Sequence, residues 1–105
     1  MKLSKSLAII PAVLIAYSMS PVVQADGGAL FMSKTCWSCH GKDAKTPLIP
    51  IYPKLAGQNA DYAFNQMKDI KSGARNNGQT AAMKGIMSLV NEAEMKEIAT
   101  WLSQQ

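Results

Sequence analysis

The chain has 105 residues, of which 48% are hydrophobic and 17% are charged, and its formal net charge at pH 7 is +4. This length allows a single small domain, while the high apolar and low charged fractions exclude an intrinsically disordered chain. The positive charge is too small and too scattered along the sequence to indicate nucleic-acid binding.

The N-terminal segment has the pattern of a secretory signal peptide. A short basic start precedes an uncharged apolar stretch at 6–17, and the segment ends in Val23-Gln24-Ala25. Small side chains thus occupy positions −3 and −1 of a cut after Ala25, which is typical of a signal-peptide cleavage site. We predict a signal peptide over residues 1–25 and an exported domain over 26–105.

A retained membrane anchor is the alternative, because the uncharged run over residues 6–25 is long enough to span a bilayer. Its apolar centre is only about a dozen residues long, however, and prolines and polar side chains interrupt the rest, which favours cleavage. We therefore expect no stable membrane insertion of the mature chain. Loss of Lys2 and Lys5 with the signal peptide would lower the net charge to +2.

The first part of the mature sequence predicts two helices separated by a loop. Apolar residues near its start favour a first helix over about residues 28–38. Three prolines within 42–53 exclude a regular helix or central strand and indicate a loop. Asn59 is a candidate N-cap of the second helix, which Gly73 would end as a C′ residue.

The C-terminal part predicts two further helical segments. Residues 80–88 favour a short helix, and Asn91 with Glu94 has the pattern of a capping box at the start of the last helix. Apolar residues repeat at helical spacing from Met95 to Leu102. Because no segment alternates with period two, the fold class is predicted as all-α, with three main helices and a short one.

The two cysteines and the only histidine of the chain occur within one motif, Cys36-Trp37-Ser38-Cys39-His40. C-x-x-C-H is the attachment signature of c-type haem. One helical turn brings both thiols to the same side, where each can form a thioether with a porphyrin vinyl group, and the adjacent imidazole can bind the iron. We therefore predict one covalently bound haem c, on Cys36 and Cys39, with His40 as an axial ligand.

Three other interpretations of this motif fit the sequence less well. A thioredoxin-like redox pair uses C-x-x-C but requires a βαβ context that the chain lacks. A zinc site needs about four ligands, and the chain has no further cysteine or histidine. A disulfide between Cys36 and Cys39 would leave the adjacent His40 without a role.

Four stretches of the mature chain are typical of one protein family. They are CWSCHG at 36–41, YPKLAGQNADY at 52–62, Gly73-Ala74-Arg75, and a methionine before a terminal helix that ends in ATWLSQ. On these stretches the chain resembles the class I cytochromes c, particularly the bacterial c4/c553-like group. The resemblance implies a small cytochrome c fold, in which three main helices and a short one wrap around one haem.

A methionine is the expected second iron ligand, because the chain has no second histidine and a thioether is a soft donor. Met83 and Met87 lie between the second and the last predicted main helices. The family spacing, counted back from the apolar residue before the terminal helix, here Val90, implies Met83, with Met87 as the alternative. The other methionines of the mature chain lie too close to the haem motif or on apolar helical stripes, where core packing explains them: Met32, Met67 and Met95.

The resemblance also implies residues that support the site. A ligating imidazole normally donates its other N–H, and in the family a proline carbonyl in the loop after the haem motif accepts it, which implies Pro50, with Pro47 as the alternative. Arg75 resembles an arginine that can face a haem propionate, and the alternative is a solvated surface residue. Tyr52 and Trp101 are expected either near the haem or in the core.

These features favour a soluble periplasmic electron carrier rather than an enzyme. Histidine and methionine together occupy both axial positions of the iron, which leaves no site for a substrate. The expected partners are redox proteins that bind transiently. The alternatives are a haem subunit of a larger periplasmic oxidoreductase complex and a catalytic or gas-sensing haem protein with an open sixth position.

Positive charge near the haem crevice would steer an acidic partner surface toward it. The lysines in segments expected to flank the crevice are Lys34, Lys42, Lys45, Lys54 and Lys84. A solvated surface of mixed charge, without steering, is the alternative.

Overall fold

The computed structural model describes residues 8, 11–12 and 26–105, and every regular element within 26–105 is an α-helix. The predicted all-α fold class is therefore confirmed. None of the helices in this part of the chain has the length and apolarity needed to cross a membrane. The predicted signal peptide, apart from positions 8, 11 and 12, lies outside the described residues. The helices are α1 (Gly27–Ser33), α2 (Trp37–His40), α3 (Ala60–Ser72), α4 (Thr80–Met87) and α5 (Glu92–Ser103).

Helix α1 begins at an N-cap and packs closely against α5. The Asp26 carboxylate accepts a hydrogen bond of 2.9 Å from the Gly28 N–H, which satisfies one of the free N–H groups at the helix start. A Cβ atom at Gly27 would overlap the Glu97 carbonyl oxygen and lie 2.6 Å from the Cβ of Trp101. The two helices can therefore approach this closely only because position 27 carries no side chain.

The predicted first helix is divided in two by a turn at Thr35. This residue adopts a left-handed backbone conformation, with φ of 64°. The N–H of Thr35 donates to the Met32 carbonyl and the N–H of Cys36 donates to the Phe31 carbonyl, each at 3.1 Å, which is the Schellman pattern that ends a helix. The expectation of one helix over 28–38 is thus wrong, and the haem motif begins on a separate helical turn.

The core forms where α5 packs against both α1 and α3, while α4 packs on α3. The rings of Phe31 and Trp101 lie with their centroids 5.0 Å apart and connect α1 to α5. Burial of Met67 and Met95 confirms that core packing accounts for these two methionines. The large side chains of the core are Phe31, Met67, Ile70, Met87, Val90, Met95, Ile98 and Leu102.

The predicted helix boundaries at α3 and α5 are confirmed. Asn59 accepts a hydrogen bond of 3.0 Å from the Tyr62 N–H, and α3 ends at Gly73, which is left-handed with φ of 87°. At the start of α5, the Asn91 side chain accepts from the Glu94 N–H at 2.8 Å, and the Glu94 carboxylate accepts from the Asn91 N–H at 3.1 Å. This reciprocal pair is the capping box.

The long loop between α2 and α3 folds around Ala44. This residue is fully buried and left-handed, with φ of 57°. Its carbonyl oxygen accepts from the Leu55 N–H at 2.9 Å and from the Ala56 N–H at 3.1 Å. The loop is also tied to α5, because the Gly57 N–H donates to the Leu102 carbonyl at 2.9 Å.

Asp43 fixes the turn that contains Ala44. Its carboxylate accepts from the backbone N–H groups of Lys45 at 2.8 Å and of Thr46 at 3.0 Å. These bonds favour the ionised carboxylate and lower the pKa of Asp43 below its usual value. The loop after the haem motif therefore has a defined path although it contains no regular element.

Replacing Thr35 with glycine should stabilise the folded protein by about 1 kcal/mol, because a left-handed conformation costs a residue with a Cβ about 1–2 kcal/mol. The gain is reduced by the greater freedom of glycine in the unfolded chain. Chemical unfolding of the haem-loaded protein measures the change. Ser33→Gly is the control, since glycine within α1 should lower the free energy of unfolding by up to about 1 kcal/mol. A similar loss in Thr35→Gly would contradict the prediction.

Candidate haem site

The haem motif occupies one turn of helix. The His40 N–H donates to the Cys36 carbonyl at 3.1 Å, and α2 extends from Trp37 to His40. Residues three apart on a helix share one face, so Cys36 and Cys39 lie on the same side of this turn. Cys36 is buried, Cys39 is half-buried, and no disulfide joins them.

The His40 imidazole is buried, with only one of its two nitrogens bonded. Nδ1 lies 2.8 Å from the Pro53 carbonyl oxygen. Because a carbonyl only accepts, Nδ1 carries the proton and Nε2 keeps its lone pair. Nε2 is buried without a hydrogen-bond partner among the described residues. Such an atom is uncommon in a folded protein, and a neutral imidazole with one nitrogen fixed by a carbonyl is the usual form of a metal ligand.

Burial lowers the pKa of His40, although the bond to Pro53 acts in the opposite direction. The imidazole is therefore neutral at neutral pH, as a metal ligand must be. The residues present thus fit a haem whose iron is bound from the side of Nε2.

The expectation that Pro50 or Pro47 supplies the carbonyl to His40 is wrong, because Pro53 supplies it. Pro50 lies within the turn that the Tyr52 N–H closes by donating to the Ile49 carbonyl at 3.1 Å, and it is exposed. The chain then returns toward Ala44, which brings the Pro53 carbonyl to the imidazole.

The Cys36 thiol lacks the electrostatics of a reactive redox cysteine. Burial raises its pKa to about 11, whereas thioredoxin-like motifs lower the pKa of their nucleophilic cysteine. Within the described part of the chain, no three side chains of His, Cys, Asp or Glu converge to hold a metal ion. The geometry therefore favours neither a thioredoxin-like pair nor a zinc site.

Apolar side chains are exposed on the loop that follows α2. The Leu48 N–H donates to the Cys39 carbonyl at 2.9 Å, so the loop begins directly beside the haem motif. Leu48 is 72% exposed and Ile51 is 61% exposed. A porphyrin packed against this part of the loop would remove these apolar side chains from water.

Both candidate methionines lie on α4, one turn apart. Met87 is fully buried in the core, whereas Met83 is half-buried at its edge. Positions four apart share a helix face, so α4 presents both side chains toward the same side. Core packing accounts for Met87 completely, which leaves Met83 as the methionine without a complete apolar enclosure.

The remaining candidates have partners within the protein. Trp101 packs on Phe31 in the core. The Arg75 guanidinium donates to the Gln66 side-chain oxygen at 3.0 Å near the end of α3. Tyr52 is half-buried, and its N–H closes the turn that contains Pro50. A contact of Arg75 with a haem propionate stays a prediction.

Residues 24–105 match the cytochrome c family. Cytochrome c-553 of Nitratidesulfovibrio vulgaris is 30% identical over 90 residues, which cover 86% of this chain and 86% of the relative. Cytochrome c-554(548) of Halomonas halodenitrificans is 37% identical over 71 residues, which cover 68% of this chain and 84% of the relative.

A longer relative is cytochrome c4 of Pseudomonas aeruginosa, which is 30% identical over 100 residues. The match covers 92% of this chain but only 48% of that protein, so the chain spans about half its length. The family binds covalently attached haem c, and Cys36, Cys39 and His40 have the spacing of its attachment motif. The chain therefore belongs to the cytochrome c family, as a class I c-type cytochrome of the c4/c553 group that carries electrons through its haem.

Proposed function

We propose that the mature protein is a soluble periplasmic carrier of single electrons, with haem attached to Cys36 and Cys39 and its iron bound by His40 and Met83. The observation that carries this proposal is the buried, unpaired Nε2 of His40 on the same helical turn as the two cysteines. When bound, the haem supplies a one-electron change between Fe(II) and Fe(III). The protein supplies the ligands, the burial and the route for electrons.

The hydrogen bond between His40 and Pro53 fixes the orientation of the imidazole. With Nδ1 as the donor, the ring cannot rotate about its axis without losing the bond, and the lone pair of Nε2 keeps one direction. Donation to the carbonyl also makes the imidazole a stronger electron donor, which favours Fe(III). Methionine acts in the opposite sense and raises the reduction potential.

The burial of the α4 side chains supports Met83 over Met87. Met87 is 1% exposed, and its withdrawal from the core would leave a cavity among apolar side chains. The Met83 side chain can turn toward the iron without leaving such a cavity, because it lies at the edge of the core. With His40 and Met83 both held by the iron, no coordination position would remain for a substrate, which favours a carrier over a catalytic or gas-sensing haem protein.

The sequence pattern before Asp26 supports export and cleavage after Ala25. With haem c attached outside the cytoplasm, the mature domain would act in the periplasm. Transient contact with redox proteins is the mode of binding that a shuttle requires, since it must leave one partner to reach the next. Stable co-purification with a dehydrogenase or oxidase would instead support the subunit alternative.

The lysine prediction needs revision in the light of the contacts. Lys34 donates to the Leu89 carbonyl at 2.9 Å and pairs with Glu94 at 3.2 Å, so its charge is compensated within the protein. The Lys42 ammonium lies 5.8 Å from the centre of the exposed Trp37 ring, beside the haem motif. We propose that any steering depends on the loop lysines Lys42, Lys45 and Lys54, together with the exposed Lys84 on α4, rather than on Lys34.

Covalent attachment predicts that the haem stays with the protein in acid acetone. The wild-type mass should exceed that of the polypeptide by one haem, because two thioethers hold it. A variant with both Cys36→Ser and Cys39→Ser is the control, and any haem it binds should pass into the solvent. Extraction of haem from the wild-type protein would contradict the attachment.

The ligand assignment predicts different outcomes for Met83→Leu and Met87→Leu. The first should abolish the sulfur-to-iron charge-transfer band of the oxidised protein and lower its reduction potential. The second should keep the band and cost less than about 1.5 kcal/mol in unfolding free energy, because leucine nearly conserves the volume. Loss of the band in Met87→Leu alone would show that Met87 is the ligand.

If the loop lysines steer the encounter, the anion hexacyanoferrate(III) should oxidise the reduced, haem-loaded protein more slowly as ionic strength rises. A cationic cobalt(III) complex of similar size is the control, and its rate should rise with salt. Replacing Lys42, Lys45 and Lys54 with glutamine should flatten both profiles. Equal salt dependence with both reagents would mean that charge near the haem edge does not govern the encounter.

A further inference from the structure

Two lysines, one directly after α1 and one in α3, donate hydrogen bonds to the short segment that joins α4 to α5. We name residues 88–91 the junction segment. The Lys34 ammonium, just after α1, donates to the Leu89 carbonyl at 2.9 Å, and the Lys71 ammonium, near the end of α3, donates to the Val90 carbonyl at 2.6 Å. These bonds connect residues 55 and 19 positions apart in the sequence.

Both carbonyls lack a helical donor. The carbonyls of the last turn of α4 are bonded locally, by Ser88 Oγ and by the N–H groups of Leu89 and Val90. The carbonyls of Leu89 and Val90 follow the end of α4 and precede Asn91, the N-cap of α5, so neither helix provides a partner. Val90 is itself fully buried, and unpaired backbone groups in such a place are costly.

The same lysines act on the start of α5. Lys34 also pairs with Glu94, and the two side chains are only 25% and 22% exposed. The pKa of Glu94 is lowered first by the Asn91 N–H and further by Lys34 and Lys71. Lys34 therefore connects the junction segment to the capping box of α5 through charged hydrogen bonds, which are stronger than neutral ones, and the Lys71 charge adds an electrostatic attraction to Glu94.

Helix α4 lacks the side-chain cap that α3 and α5 have at their starts. Its N-cap, Gln79, makes no side-chain hydrogen bond, and only Thr80 and Met87 are buried along its length. It packs mainly on α3. Thr80 bonds to Asn77 at the start of the helix, whereas the large buried side chains, Met87 and the adjoining Val90, lie at its C-terminal end.

We infer that Lys34 and Lys71 form a clamp on the junction segment that keeps the methionine of α4 on the haem iron. They act as positioning residues, through the backbone of Leu89 and Val90 rather than by touching the haem. This inference rests on the proposed methionine ligation, and it holds whether Met83 or Met87 is the ligand because both belong to α4. Loss of the clamp should loosen α4 and weaken the iron–sulfur bond without removing the methionine.

The test compares Lys71→Met and Lys34→Met in the haem-loaded protein, since methionine keeps the apolar stem and removes the ammonium. Imidazole is titrated against the oxidised protein, and loss of the sulfur-to-iron band reports displacement of the methionine. Lys71→Met should raise the apparent affinity for imidazole by about tenfold, as expected for loss of a charged hydrogen bond. Lys71→Arg, which retains a donor, should restore most of the wild-type behaviour.

Two controls separate the clamp from charge and from general destabilisation. Lys96→Met makes the same charge change on the exposed side of α5, where its ammonium makes no hydrogen bond or ion pair to residues 26–105. Ile98→Val lowers stability from within the core by about 0.5–1.5 kcal/mol. Both should leave the imidazole affinity close to that of the wild type. An equal rise in Lys96→Met or in Ile98→Val would overturn the clamp.

Hydrogen exchange provides a second readout, which does not depend on the ligand. The amides of Leu89 and Val90 should exchange faster in Lys71→Met than in Lys96→Met, because the junction segment opens more often. Unchanged exchange at these two amides would overturn the inference. A wild-type protein without the sulfur-to-iron band would contradict the proposed methionine ligation instead. Faster exchange of the Leu89 and Val90 amides in Lys71→Met would then show that the lysine stabilises the junction segment without acting on an iron ligand.

Discussion

The hydrogen bond from His40 to the Pro53 carbonyl is the contact on which the site depends. It joins the haem motif to the end of the long loop, selects the tautomer with the proton on Nδ1 and leaves the lone pair of Nε2 available to bind a metal. The carbonyl reaches this position because the loop is folded around Ala44, whose own carbonyl accepts two backbone N–H groups. A change in the loop conformation would therefore alter the orientation of the His40 imidazole.

Helix α5 provides the platform that orients the other elements. It packs against α1 and α3, and it receives the loop through the bond from Gly57 to Leu102. In a domain this small the polypeptide alone encloses only a thin core. Apolar side chains such as Leu48 and Ile51 remain exposed on the loop beside the motif, and a bound haem would complete the burial that the chain cannot achieve by itself.

The features with a local signal could be predicted from the sequence. The haem motif occupies five consecutive residues, and the caps at Asn59 and Asn91 depend on partners three positions away. The features whose residue types carry no such signal could not be predicted. Threonine and alanine rarely adopt a left-handed backbone conformation, so the sequence does not indicate one at Thr35 or Ala44. Neither the end of α1 nor the loop conformation that brings the Pro53 carbonyl to His40 could therefore be predicted.

The N-cap of α1 lies directly after the proposed cleavage site, so the proposed export would tie the accuracy of cleavage to the stability of the folded domain. With cleavage after Ala25, Asp26 becomes the first residue, and its carboxylate both caps the helix and lies beside the new positively charged α-amino group. A cut one residue later would delete the cap and place that positive charge at the N-terminal end of the helix dipole, where it is unfavourable. Under the proposed cleavage, release of the chain would itself create the N-terminal cap of α1, and misprocessed molecules would carry a weakened α1 against α5.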